Sequence, residues 1–143
     1  MNENPARRPL PDTRNAGAAY WRSAAEGRLC VPRCERCART FWYPRRQCPH
    51  CGSGEVAWLQ ARGTGRVYTY TVVRQSGDPF FKGRLPFVVA MIELDEGPRL
   101  MSNVIDCDVE SVAIGMAVVV SFEQAQDGLA IPLFRPARPP AKT

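Results

Sequence analysis

Three features of the chain predict a mainly β fold with a short N-terminal helix, a metal-bound ribbon and a small barrel. Cys34-Glu-Arg-Cys37 and Cys48-Pro-His-Cys51 form two Cys-x-x-Cys pairs with ten residues between them. Five β-forming runs follow between residues 67 and 134, with no convincing helix among them. Ahead of the cysteines, Ala16, Ala19, Tyr20 and Ala24 fall at i, i+3, i+4 and i+8 and make one apolar helical stripe.

The arm and helix take residues 1–28. Residues 1 to 11 are rich in Pro, Arg and Asn and read as an extended arm. Asp12 or Asn15 then caps a helix that ends near Gly27. Trp21 and Ala25 widen the apolar stripe. Such a stripe packs on its own domain or, since Tyr20-Trp21 offers large apolar area, docks a partner subunit.

The ribbon takes residues 29–58. Four thiolates at this spacing close a tetrahedral shell around one zinc ion, each pair from its own tight turn, as in a rubredoxin-like zinc ribbon. Pro49 stiffens the second turn, and Gly52 follows it where a positive φ is often needed. The expected ligands are Cys34, Cys37, Cys48 and Cys51, with Zn2+ in a structural role. Four ligands complete the shell, so Cys30 becomes a buried filler or a spare thiol, and His50, the chain's one histidine, is not needed. Phe41-Trp42-Tyr43-Pro44 is expected to cover the metal with an apolar lid.

The barrel takes residues 59–136, opening at the turn Arg62-Gly-Thr-Gly65. Its five runs are Val67–Val73, Phe87–Leu94, Arg99–Ile105, Val118–Phe122 and Ile131–Phe134. The first alternates well, and the second is apolar almost throughout, as in a strand buried on both faces. Five short strands suggest a closed five-stranded OB-fold barrel, with a small sandwich as the alternative. Glu93, Asp95 and Glu96 sit on a hairpin as solvated charges, and Cys107 needs only to fill space. Residues 137–143 form a proline-rich flexible tail or a strap across a partner.

Several function classes find no residues to carry them. Gly63-Thr-Gly65 lacks the ending of a phosphate loop, and Ser53 lacks the flanks of a hydrolase nucleophile, so no catalytic residue is assigned. No run approaches the roughly 18 apolar residues of a membrane helix. The N-terminus has no apolar core of a signal peptide, so a reducing cytoplasm is expected, where paired cysteines serve metals. The net charge of +5 is uneven: residues 1–66 hold twelve Arg against five acids (+7), and the rest holds seven bases against nine acids (−2). The basic half suits an anion-binding surface. Alternatively, Arg33, Arg36, Arg39, Arg45 and Arg46 offset the doubly negative charge of zinc with four thiolates.

Helix, ribbon and barrel in this order resemble a known family. The matching segments are Cys34-x-x-Cys37, Tyr43-Pro-Arg45, Cys48-Pro-x-Cys51-Gly-Ser53, Gly63-x-Gly65-x-Val-Tyr-x-Tyr-Thr71, Pro86-Phe-Val-Val-Ala90, Leu94-Asp-Glu-Gly97, Gly115-Met-x-Val118 and Pro132-Leu-Phe-Arg-Pro136. Together they resemble the zinc-ribbon/OB-fold family long called domain-of-unknown-function family thirty-five, associated with acyl-CoA enzymes. Related ribbons often carry Gly where this chain has Ala38, which bears on the first turn's backbone and not on the ligand set. The resemblance implies a small accessory subunit in a hetero-oligomer. Its catalytic partner would be a thiolase-like acyltransferase, a retro-aldolase or a hydratase acting on CoA thioesters. Coenzyme A needs Arg for its phosphates and an apolar channel for its pantetheine and acyl chain. Arg45 and Arg46 suit the phosphates, and the loop bearing Phe80, Phe81, Lys82 and Arg84 suits a lid over the thioester or a partner contact. The competing class is a single-stranded nucleic-acid-binding module, since ribbons and OB barrels serve there too. It requires basic and aromatic residues interleaved on the barrel, but Tyr68 and Tyr70 have no basic residue between them.

Overall fold

The computed structural model describes residues 6–137. Residues 138–143, most of the expected tail, and the first five residues of the arm lie outside it.

Helix α1 spans Ala18–Ala25, shorter than expected. Neither Asp12 nor Asn15 caps it; Gly17 holds that position with no side-chain bond. Asn15 instead builds the turn before the helix, its Oδ1 accepting the Gly17 N–H at 2.8 Å. At the other end Gly27 adopts φ +78, its N–H reaches Ala24 O, and the Arg28 N–H reaches Ser23 O. This is a Schellman ending, which needs a left-handed residue just past the helix. Tyr20, Ser23 and Ala24 face inward, while Ala25 is exposed and does not widen the stripe.

The ribbon's sheet pairs β1 (Cys30–Cys34) with β2 (Val56–Gln60), antiparallel from Cys34↔Val56 to Cys30↔Gln60. Strand β2 was not anticipated. The expected border between residues 58 and 59 falls inside it.

The five expected barrel strands form as β3 (Thr64–Val73), β4 (Phe87–Leu94), β5 (Arg99–Val104), β6 (Ala117–Gln124) and β7 (Ala130–Pro136). They close in the order β3-β4-β5-β7-β6, the OB arrangement, and not as a sandwich. Between β3 and β4 lies one helical turn, α2 (Pro79–Lys82), capped by Asp78 Oδ1 accepting the Phe80 N–H.

Two strands depart from their sequence patterns. A bulge at Tyr68 shifts the register of β3 between Val67 and Thr69. Gly65 and Val67 therefore point inward before it, and Tyr70 and Val72 after it. Strand β4 is not buried on both faces: Val88, Ala90, Ile92 and Leu94 enter the core, while Phe87, Val89 and Met91 stay half-exposed outside. Its apolar outer face is surface, which one-dimensional hydrophobicity cannot distinguish from core.

The barrel is weakest between β5 and β7. Those strands share one parallel register pair, Val104↔Phe134. Beyond it the Ser102 hydroxyl donates to Pro132 O at 2.9 Å, and Tyr20 and Trp21 from α1 lie against the gap. One core runs through all three parts, joining Tyr20, Leu29 and Val31 to Val67, Val88, Ile92, Leu100, Val118 and Phe134.

Candidate metal centre and the adjoining face

The four cysteine sulfurs lie within 4.8 Å of one another, with Cys34–Cys51 at 3.6 Å and Cys37–Cys48 at 3.7 Å. A tetrahedron with Zn–S bonds near 2.3 Å has sulfur–sulfur edges of about 3.8 Å, so the geometry fits one zinc ion with all four corners filled. Backbone donors support it: Cys37 N–H reaches Cys34 Sγ at 3.4 Å, and His50 N–H reaches Cys48 Sγ at 3.3 Å. The Cys37 N–H, with help from that of Arg36, brings the Cys34 thiol down to about 7. At Cys51 the Ser53 backbone favours the thiolate, but burial and the thiols of Cys34, Cys37 and Cys48 win and push it up to about 11. His50 is exposed and outside the ligand set.

A closed four-thiolate shell offers no position for water or a carbonyl, so this zinc is structural. The aromatic lid is smaller than expected. Phe41 alone joins the buried Cys34 and Cys48. Trp42 turns the other way and packs edge-on against Tyr20, ring centres 4.8 Å apart, and Tyr43 is 56% exposed.

Ala38 adopts φ +65, the left-handed conformation that favours glycine. The strain of an L-residue there is about 1–2 kcal/mol and exceeds the entropic cost of glycine. Ala38→Gly should therefore raise ribbon stability by up to about 1 kcal/mol, read as slower exchange of the Cys34 amide, which bonds Arg39 O. Faster exchange there would contradict it.

A groove of about 540 Å³ opens where the arm and α1 meet the segment between the cysteine pairs and the barrel, lined by Asp12, Tyr20, Trp21, Trp42, Tyr43 and Met101. Tyr20 and Trp21 therefore meet the ribbon's aromatics at one place. Met101, 60% exposed, pairs across the sheet with Met91 and carries the apolar surface onto the barrel's outer face. Sequence reading missed Met101, and its signal was an outward methionine beside an inward Leu100. Arg45 and Arg46 line a second hollow of about 260 Å³ with Val56 and Trp58, which adjoins the groove at Ala16.

The loop residues are more constrained than expected. Phe81 stacks on Phe87, and Phe80 lies under the guanidinium of Arg84 at 4.4 Å. Arg84 is also paired with Glu123, whose carboxyl it holds below the usual range, while Lys82 remains exposed. On the barrel exterior Arg99 covers Tyr68 at 3.7 Å, but Glu93 engages the same guanidinium at 2.8 Å. That removes the free charge a nucleic-acid platform would use.

Comparison with known proteins agrees with this architecture. Residues 21–57 match the family model of the ChsH2 rubredoxin-like zinc ribbon domain, and residues 58–123 that of the ChsH2 C-terminal OB-fold domain. A DUF35 domain-containing scaffold protein of Methanothermobacter thermautotrophicus is 37% identical over 106 residues, 71% of this chain and 79% of that one. The chain belongs to the DUF35 family. A probable enoyl-CoA hydratase alpha subunit of Thermomonospora curvata is 39% identical over 134 residues, 94% of the DUF35 chain described here. This chain spans only 41% of that relative's length. A solved structure titled Ltp2-ChsH2(DUF35) aldolase superposes with a TM-score of 0.80 at 38% identity, covering 92% of this chain and 100% of that one. Among the described residues no helix is long and apolar enough to cross a membrane.

Proposed function

We propose that this DUF35 chain is a non-catalytic, zinc-containing scaffold subunit that docks on a separate catalytic subunit of hydratase or aldolase type acting on CoA thioesters. The observation that carries this reading is an aromatic and methionine groove on a chain whose metal centre has no open position. Exposed apolar surface of that kind serves association, and a closed metal site serves shape. The relatives support the class of partner. One is named a hydratase alpha subunit, and there the matched module is covalently joined to further chain. The structural neighbour's title names an aldolase.

Tyr20, Trp21, Trp42, Tyr43 and Met101 form the docking face in this reading. Arg45 and Arg46, with Trp58 in the same hollow, take the phosphates and adenine of the CoA ester at the partner's active-site mouth, and Lys82 contributes a further charge. A thiolase-like fold for an aldolase-type partner remains part of the same proposal. Phe80, Phe81 and Arg84 act as a surface element beside the interface.

Affinity purification from the native host tests the reading, and a stoichiometric hydratase-like or aldolase-like subunit is expected. A solitary chain that also binds no CoA ester would refute it. With the partner in hand, Trp21→Ala or Met101→Lys should weaken association at least about tenfold with zinc content unchanged. The double change Arg45→Ala and Arg46→Ala should spare association and weaken CoA-ester binding. Unchanged affinities in both experiments would remove these residue assignments.

A further inference from the structure

We infer that the segment Asp78–Arg84 is a lid on the apolar cleft at the β5–β7 seam, and that Arg8 of the N-terminal arm is its latch. The segment has no core of its own, because none of its residues is buried. What holds it comes from far away in sequence. The Arg8 side chain is only 9% exposed, and its guanidinium lies 4.8 Å from the Phe80 ring centre and 5.8 Å from that of Phe81. With Arg84 at 4.4 Å, Phe80 is thus gripped by two guanidiniums. Both arginines converge on Glu123 of β6, Arg8 at 3.2 Å from Oε1 and Arg84 at 3.1 Å from Oε2. Gln126 fixes the arm's backbone as well, its Nε2 donating to Arg8 O at 2.8 Å.

Phe81 stands where the lid matters. It lines the seam cavity of about 280 Å³, with Trp21, Met101 and Ile131, and also a neighbouring cavity of about 200 Å³ with Cys107 and Val109. Phe87 and Asn103 line both cavities too. Lifting Phe81 off Phe87 would join the two into one channel, apolar at the seam and polar at its far end by Arg84 and Asp106. The arm carrying the latch also lines the groove at α1 through Pro11 and Asp12. Displacing the arm there therefore pulls on the residue that keeps the lid shut.

Hydrogen–deuterium exchange on the full chain tests this. Three lid amides are reporters: Phe80, bonded to Asp78 Oδ1, Lys82, bonded to Asp78 O, and Arg84, bonded to Phe81 O. Arg8→Ala should accelerate these amides about tenfold or more, while the Val67 and Val120 barrel amides stay as slow as before. Binding of the apolar dye anilinonaphthalene sulfonate should rise in parallel. If Arg8→Ala fails to fold, Gln126→Ala cuts only the backbone anchor and should accelerate the same three amides. Lid exchange unchanged in the folded variant would overturn the proposal. So would lid exchange in the unaltered chain as fast as in an unstructured peptide.

Discussion

Replacing Cys48 with serine should empty the metal centre and melt the ribbon's two cysteine turns while the barrel keeps its strands. Apart from the ligands Cys34, Cys37 and Cys48 themselves, the distal ribbon's core is Phe41 with Val56 packed against it. A two-stranded sheet with so little apolar burial is marginal in water. Structural zinc contributes on the order of 10–16 kcal/mol of apparent binding energy in small ribbons and fingers, which dwarfs the rest of this module. The Gly52 amide (to the carbonyl of residue 48) and the Glu35 amide (to Glu55 O) should lose exchange protection, and Val67 (to Met116 O) should keep it. Zinc content should fall from one per chain to near none. Because the metal binds thiolates, protons compete with it, so apparent zinc affinity should rise with pH and fall on acidification. A Cys48→Ser protein with full zinc content and intact turns would show that the metal is dispensable.

The second large effect is expected at Gly65. Here β3 runs between two neighbours at once, paired to Leu94 of β4 and Val118 of β6. A Cβ on Gly65 would press on the Glu93 carbonyl oxygen and stand 3.1 Å from both the Glu93 carbonyl carbon and Leu94 Cα. Those are backbone atoms of a paired strand, so no rotamer change relieves the clash. Gly65→Ala should cost about 2–4 kcal/mol, lowering Tm by roughly 10 °C. Gly77→Ala is the control, since its Cβ would meet nothing within 4 Å. Equal melting of the two variants would mean that β3 and β4 separate more easily here than their pairing suggests.

The metal ligands and the five barrel strands were legible because each rests on local pattern: paired cysteine spacing, and short β-forming runs bounded by turn residues. What was missed depends on contacts between distant residues. Val56–Gln60 becomes a strand by pairing with β1, and its own five residues carry little alternation. Phe87, Val89 and Met91 read as core because apolarity does not say which face a partner will cover. Trp42 looked like a metal lid from its place between the cysteines, yet Tyr20 of α1 takes it. Met101 became part of the candidate face only when β5 turned it outward beside α1. Arg8 and Glu123 meet across 115 positions, a distance at which no sequence window carries a signal.

The two family models that divide this chain meet between residues 57 and 58, in the middle of β2. That strand is tied residue by residue to β1, and Val31 of β1 is fully enclosed in the same core as Ile92 and Phe134 of the barrel. Ribbon and barrel are thus sealed by common apolar contacts, and the border between the two family models is not a border in the packing.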